Sequence, residues 1–195
     1  MSDANATELP AMEPITPLGA RAPRVDKHGQ VTLTEATDTA IASFASRLGN
    51  EAKATKALAK FTGLELPAAG RMTEGKGLCV FWTSPDQWMV TASHDSHEDL
   101  AAQMKAAAGD TASVTEQNDA WCRYDLAGSG LDAVFERLCP INMRGREAGD
   151  ATRTSIDHLG CFVLMSGDEA ISVFGPRSSA GSLHHALLTA IRSAH

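Results

Sequence analysis

The sequence has 195 residues, of which 43% are hydrophobic, and a chain of this size buries one core or two small cores packed together. Its formal net charge of −7 argues against a broad phosphate-neutralising surface, so we do not expect nucleic acid as a partner. No apolar run approaches the roughly 18 residues of a membrane span, and the N-terminus lacks a basic segment followed by an apolar one. We therefore predict neither a membrane anchor nor a secretion signal.

Residues 1–29 predict an extended N-terminal arm. The segment contains Pro10, Pro14, Pro17 and Pro23 and no periodic apolar pattern, so alone it has little to bury. Its scattered apolar residues are typical of an arm that lies on a surface. They are Leu9, Met12, Ile15 and Leu18.

Residues 30–110 form the first predicted half. It begins with two strands, and a helix follows that Asn50 can cap and Gly63 can end. A Ser-Pro-Asp turn then joins two more strands, and Ser96 is expected to cap a second helix that ends at Gly109. The predicted strands span residues 31–36 and 41–48 and two parts of 77–93, and the first helix runs from Asn50 to about Phe61.

Residues 111–195 form the second predicted half, with a similar order of elements. The predicted strands are 113–117, 120–128, 153–160, 161–166 and 170–175, and the predicted helices are 130–138 and a last helix to about Arg192. Residues 79–92 align with 162–175 without a gap, and we call the constant spacing between these two segments the repeat offset. We therefore predict an α+β fold of two duplicated strand-strand-helix-strand-strand-helix units with antiparallel sheets.

The four cysteines predict a reducing environment. Cys79, Cys122, Cys139 and Cys161 are far apart and form no C-x-x-C pair, and three of them lie in apolar, strand-like contexts. Such cysteines are typical of reduced core thiols rather than of disulfides or metal sites. We therefore expect a cytoplasmic protein.

The stretch FGPRSSAGSLHHALLTAI, residues 174–191, has the composition of a small active site but no catalytic motif. It contains no G-x-x-x-x-G-K-[ST], G-x-G-x-x-G or G-x-S-x-G pattern, and an anion site at the helix start beside Arg177 is only weakly indicated. Ser178 or Ser179 is expected to cap the following helix. His184 and His185 lie about 100° apart around that helix and cannot readily share a metal ion. We expect His185 to face solvent or a partner.

One further group has the spacing of metal ligands. His94 and His97, with Glu98, lie at a predicted helix start, but no third ligand is close in sequence. We interpret them as polar residues before a helix. No catalytic, cofactor-binding or metal-binding residue is therefore predicted on this chain.

Basic residues change type along the sequence. All six lysines lie at or before Lys105, whereas seven arginines and no lysine follow residue 111. Arginine is preferred over lysine where a cation must be desolvated and paired, as at a protein interface. We therefore predict that the second half carries a partner interface. Its candidate residues are Arg153, Arg177, Ser178, Ser179, His185 and Arg192.

Four segments carry a resemblance to a known family. They are VTEQNDAWCRYDLAG, RLCPINM, ATRTSIDHLGCFVL and VFGPRSSAGSLHHAL. Together they resemble the gamma subunit of heterotetrameric sarcosine oxidase, most strongly over about residues 112–192 and less so over about 31–111. The gamma subunit is in turn similar in fold to part of the glycine-cleavage T-protein, a folate-binding family.

The resemblance implies a complex with alpha, beta and delta subunits that oxidatively demethylates sarcosine to glycine. The one-carbon unit goes to tetrahydrofolate, and oxygen is reduced to hydrogen peroxide. FAD, FMN, NAD, tetrahydrofolate and zinc would be held by the other subunits, and no catalytic residue of the family is carried over to this chain. The implied role of the chain is assembly and stabilisation.

Two alternatives remain open. The first is the corresponding subunit of N-methylglutamate dehydrogenase, which is a close relative of the same family. The second is a free-standing folate-binding protein that resembles an aminomethyltransferase, although this chain is short for that family's full set of domains.

Overall fold

The computed structural model describes residues 13–194. Within this range, eleven strands form two antiparallel sheets that four helices cover, which confirms the predicted α+β class. The helices are α1 (Glu51–Thr62), α2 (Leu100–Ala108), α3 (Leu131–Leu138) and α4 (Ala180–Ala194). The strands are β1 (Val25–His28), β2 (Val31–Ala36), β3 (Ala40–Ser46), β4 (Met72–Gly75), β5 (Leu78–Ser84), β6 (Gln87–Ala92), β7 (Ala112–Glu116), β8 (Trp121–Ala127), β9 (Asp150–Ile156), β10 (Leu159–Gly167) and β11 (Ala170–Pro176).

Each half of the sequence contributes one strand to the sheet of the other half. Sheet A has the order β1-β2-β8-β11-β10-β9, and sheet B has the order β4-β5-β6-β3-β7. β2 pairs with β8 and β7 pairs with β3, so the first strand of each half completes the sheet of the other half. The predicted halves, residues 30–110 and 111–195, therefore do not each contain one whole sheet.

Each half contains three strands between its two helices. The first unit is β2-β3-α1-β4-β5-β6-α2, and the second is β7-β8-α3-β9-β10-β11-α4. The sequence does not predict β4, because its residues, MTEG, show no apolar alternation. β4 forms because it pairs along β5 and because Met72 is buried against the other sheet.

The registers of the two sheets support a duplication. Every residue pair of the β10–β11 hairpin is reached by moving both members of a β5–β6 pair by the repeat offset; Val80 with Val90, for example, becomes Val163 with Val173. Both hairpins also have a register shift at the corresponding place, after Trp82 and after Met165. The repeat offset, which aligns the two hairpin sequences, therefore also relates their strand pairing.

The two sheets meet where β4 and β9 begin. Arg71 and Asp150 form an isolated antiparallel bridge, Met72 N donates to Gly149 O at 2.7 Å, and Ala151 N donates to Gly70 O at 2.8 Å. These two hydrogen bonds interchange when the two units are interchanged. The bridge is thus where an approximate two-fold axis would relate the units.

Three apolar clusters define a layered arrangement of helices, sheet, sheet and helices. One cluster packs α3 and α4 on one face of sheet A, and a second packs α1 and α2 on one face of sheet B. The third lies between the two sheets, where Phe81 of sheet B contacts Phe162 and Phe174 of sheet A with ring centroids 5.3 and 5.5 Å apart. Alternate residues along each strand therefore face either the helices or the other sheet.

Most predicted helix ends are close to the observed ones, but the predicted Ser96 cap of α2 is wrong. The α1 helix ends at Gly63, whose left-handed backbone lets its N–H donate to Ala59 O, as predicted. The α2 helix begins at Leu100, and the Ser96 hydroxyl instead contacts His97 Nδ1 at 2.8 Å. Ser178 and Ser179 lie in a 3-10 turn directly before α4, and a cap by either side chain stays a prediction.

The observed boundary between β9 and β10 also differs from the predicted one, which lies between residues 160 and 161. β9 ends at Ile156 and β10 begins at Leu159, so Asp157 and His158 form the connecting turn rather than the middle of a strand. Both residues have positive φ, 47° and 66°. Tight hairpin turns require this conformation, which Asn-Gly or Asp-Gly signals more clearly than Asp-His does.

The arm is held against sheet A and its helix α4 through two buried polar groups. Residues 25–28 of the predicted arm are strand β1, and the Glu35 carboxylate, 2% exposed, accepts hydrogen bonds from Leu18 N and Arg24 N at 3.0 Å each. Leu18 packs on the core beneath α3 and α4, whereas Ile15 is 61% exposed. Residues 1–12, with the predicted surface contacts Leu9 and Met12, lie outside the described residues.

The second polar group ties β1 to α4. His184 is 6% exposed, and its Nε2 lies 2.8 Å from Asp26 Oδ2. Arg24 donates to both oxygens of the same carboxylate at 2.8 and 3.1 Å. These hydrogen bonds with Arg24, and to a lesser degree that with His184, hold the pKa of Asp26 below its usual value.

Candidate functional site

A cleft lies beside the two links through which the chain passes from one sheet to the other. Its walls come from the β2–β3 link, the β7–β8 link, the start of β8 and the arm, and its volume is about 410 Å³. We call it the crossover cleft. It is lined by Pro14, Ile15, Thr16, Pro17, Arg21, Pro23, Ala36, Thr37, Thr39, Ile41, His94, Asn118, Trp121, Cys122, Arg123 and Arg177.

Three arginines line the crossover cleft and differ in how they are paired. Arg21 is 82% exposed at its side chain and forms an ion pair with Glu13 at 2.7 Å. Arg123 donates from Nε to Asp125 Oδ1 at 2.7 Å and from Nη2 to Ser172 Oγ at 3.3 Å. Arg177 has only a long contact, 3.8 Å from its Nε to Asp119 Oδ1. These three side chains are permanently protonated, planar donors, which bind anions but do not exchange protons.

Arg123 belongs to a row of side chains that crosses sheet A. The strand registers place Arg153, Phe162, Phe174 and Arg123 opposite one another on β9, β10, β11 and β8. Arg153 lies 5.8 Å from the Phe162 ring centroid, and Arg123 lies 5.7 Å from the Phe174 ring centroid. Each arginine thus covers the face of an aromatic ring at one end of the row.

The linkers that form the crossover cleft are fixed by Asn118. Its Oδ1 accepts a hydrogen bond from Ile41 N at 2.6 Å, and its Nδ2 donates to Glu116 Oε1 at 3.1 Å. The Thr39 hydroxyl in the other linker is buried and has no hydrogen-bond partner among residues 13–194. The cleft therefore combines a fixed wall with a polar group that remains to be satisfied.

The predicted interface residues do not form one surface. Arg177 lines the crossover cleft, while Ser178 and Ser179 follow it in the turn before α4. Arg153 is exposed on edge strand β9. His185 and Arg192 are exposed on α4, where His185 lies in a shallow groove with Arg137. Whether any of them contacts a partner stays a prediction.

The structure separates the two adjacent histidines by environment. His184 is buried against Tyr124 and bonded to Asp26, whereas His185 is exposed, as predicted. Among residues 13–194, no group of three His, Cys, Asp or Glu side chains is arranged to hold a metal ion, and His94, His97 and Glu98 form no such group. No helix of this range is long and apolar enough to span a membrane.

The four cysteines are free thiols in the described range, as predicted. Burial raises the pKa of Cys79 and of Cys161 to about 12 and that of Cys122 to about 11. A thiol with such a pKa is almost fully protonated at neutral pH and is a weak nucleophile. These cysteines therefore contribute to packing rather than to a reactive site.

The chain thus has a duplicated α+β fold with a cleft that is lined by three arginines. No family model and no curated protein matches the sequence. The fold is similar to a chain in the structure of heterotetrameric sarcosine oxidase from Corynebacterium sp. U-96 in complex with pyrrole 2-carboxylate, with 24% identity over 85% of this chain and 87% of that chain and a TM-score of 0.75. The predicted resemblance is thus confirmed at the level of the fold.

The fold is also similar to glycine cleavage system aminomethyltransferase T from Bartonella henselae. The identity is 15% and the TM-score 0.65, and the match covers 84% of this chain and 49% of that chain. The present chain thus spans about half of the aminomethyltransferase. This confirms the predicted similarity to part of the T-protein fold.

Proposed function

We propose that this chain is a non-catalytic subunit of a heterotetrameric sarcosine oxidase and corresponds to its gamma subunit. The observation that carries the proposal is the reciprocal fold match, which covers 85% of this chain and 87% of a chain of such an oxidase. A match that spans most of both chains favours the same subunit rather than a shared module of a larger protein. The role of the chain would be to assemble and stabilise the complex.

The chemistry of the crossover cleft is consistent with that role. Its charged groups are mainly arginines, which keep their protons and so serve binding and not general acid–base catalysis. The assembled complex would convert sarcosine to glycine, pass the one-carbon unit to tetrahydrofolate and reduce oxygen to hydrogen peroxide. The alpha, beta and delta subunits would hold FAD, FMN, NAD, tetrahydrofolate and zinc, and the four free thiols favour a cytoplasmic location.

The assembly role is tested with arginine and lysine variants of the full chain. Arg177→Ala and Arg153→Ala should include at least one strong loss of affinity for the other subunits, of about 2–5 kcal/mol if a buried pair is broken. Lys53→Ala and Lys56→Ala, exposed on α1, should change the affinity little because rim charges contribute little. Affinity would be measured at fixed salt. Weakening by the lysine changes, with both arginine changes silent, would place the interface on the other half.

The aminomethyltransferase match supports a second candidate, a folate-binding protein that acts alone. Its fold covers 84% of this chain, but this chain covers only 49% of it. Titration of the isolated full chain with fluorescent tetrahydrofolate analogue separates the two candidates. We expect no saturable binding, no flavin absorbance and no turnover of sarcosine by the isolated chain. The counterpart subunit of N-methylglutamate dehydrogenase is distinguished by which N-methyl amine the assembled complex oxidises.

A further inference from the structure

The crossover cleft has the size and charge of a small-anion site. Its volume of about 410 Å³ lies within the range of about 300–1,000 Å³ that is typical of small-molecule sites. The chain has a formal net charge of −7, yet Arg21, Arg123 and Arg177 all line this cleft. A local group of cations in an acidic protein raises the concentration of anions at that place.

Arg177 supplies the strongest reason for a bound anion. Only 32% of its side chain is exposed, and the facing Asp119 oxygen is 3.8 Å away, beyond hydrogen-bonding distance. In the part of the chain that the structure describes, Arg177 donates a hydrogen bond only through its backbone N–H, to Ala120 O. Since a guanidinium has five N–H donors, its half-buried head gains from an acceptor that reaches into the cleft.

Arg123 provides a second cation in a fixed position. Asp125 and Ser172 hold its Nε and Nη2, and Phe174 lies under the guanidinium. These two hydrogen bonds use two of the five N–H donors of the guanidinium, and neither of them involves Nη1. Arg123 is thus oriented before any ligand arrives, which reduces the entropy lost on binding.

The other walls indicate what kind of anion fits. Ile41, Trp121 and Pro17 give the cleft an apolar side. Glu13, Asp119 and Asp125 lie next to the three arginines and offset part of their charge. A ligand with one negative charge and an apolar body therefore matches the cleft better than a polyanion does.

We propose that the crossover cleft binds a small organic monocarboxylate. Its carboxylate is held by Arg123 and Arg177, and its apolar body lies against Ile41 and Trp121. The inference does not depend on the assembly role, because it concerns the isolated full chain. An acidic side chain of a partner subunit is the competing occupant, and the experiment below distinguishes the two.

The test is a titration of the full chain with benzoate, followed by Trp fluorescence and by calorimetry. We expect saturable binding of benzoate, much weaker binding of inorganic phosphate, and none of benzamide, which has a similar shape without the charge. The fluorescence change should be lost in Trp121→Phe while the calorimetric signal remains. Arg177→Gln should weaken benzoate binding at least about tenfold, whereas Arg192→Gln, exposed on α4, should leave it unchanged.

Three results would overturn the proposal. The first is the absence of saturable benzoate binding to a chain that is folded by circular dichroism. The second is equal affinity of wild type and Arg177→Gln for benzoate. The third is loss of subunit binding in Arg177→Gln without any benzoate binding by wild type, since the cleft would then receive a partner's acidic side chain.

Discussion

The two sheets share strand order and register, but their exchanged edges are used differently. Glu35 on β2 and Glu116 on β7 occupy corresponding positions, opposite Tyr124 and Ala42. Glu35 is 2% exposed, and β1 and the arm cover it. Glu116 is exposed, and β7 is the last strand of sheet B in the described range.

The difference shows that a duplicated fold can make one edge a structural anchor and leave the other accessible. In sheet A the Glu35 carboxylate accepts hydrogen bonds from two backbone N–H groups. In sheet B the corresponding Glu116 carboxylate accepts a hydrogen bond from the side-chain amide of Asn118. The helices differ in the same way, since the repeat offset places buried His184 of α4 on Ala101 of α2. Sheet A and the helices on it therefore carry both polar contacts that hold the arm.

The largest expected effect concerns the contact that joins the two units. Phe81 is fully buried between the sheets, so Phe81→Ala should lower the free energy of unfolding by about 3–5 kcal/mol. Phe61→Ala, at a half-buried position of α1, should have a clearly smaller effect. Urea unfolding followed by fluorescence and circular dichroism measures both. Equal losses would mean that the contact between the sheets adds little beyond the core of each unit.

A smaller effect is expected at the edge that carries the arm. Glu35→Ala leaves Leu18 N and Arg24 N without their acceptor, so the free energy of unfolding should fall by about 2–3 kcal/mol. Glu116→Ala, at the corresponding exposed position, should change it by less than about 0.5 kcal/mol. Hydrogen exchange of residues 16–24 should quicken only in the first variant. If the two substitutions have similar effects, the proposed difference between the edges is wrong.

The smallest effect depends on pH. Because Arg24 and His184 hold the pKa of Asp26 below its unfolded value, Asp26 contributes stability above about pH 4 that is lost as the pH falls through its folded pKa. Asp26→Asn should reduce stability by about 1 kcal/mol at pH 7 and flatten the decline below pH 4. Asp168→Asn, in the exposed turn after β10, is the control. Thermal unfolding from pH 2 to 7 checks this, and an unchanged acid slope in Asp26→Asn would contradict it.

The sequence predicts local elements of this fold well and long-range pairing poorly. The β5–β6 hairpin follows from apolar strands on either side of a Ser-Pro-Asp turn, and its counterpart follows from the repeat offset. The exchange of β2 and β7 does not follow, because similar short strands precede β3 and β8 and either could pair within its own half. A local pattern cannot choose between such partners.

The crossover cleft was also beyond sequence reasoning. The sequence predicts Arg177 as an interface residue but does not indicate Arg21 or Arg123, because only the strand exchange brings these distant positions together. The change from lysine to arginine after residue 111 is the available signal, and it points to Arg177 without indicating a cleft. The remaining candidates, Arg153 and Arg192 among them, lie on other surfaces.

The most direct measurement of the proposed function is purification of the tagged full chain from its native cells, followed by identification and quantification of the chains bound to it. We expect three other chains in amounts equal to this one, flavin absorbance in the complex, and hydrogen peroxide formation when sarcosine is added. Recovery of this chain alone, without flavin and without other chains, would contradict the proposed role as an oxidase subunit.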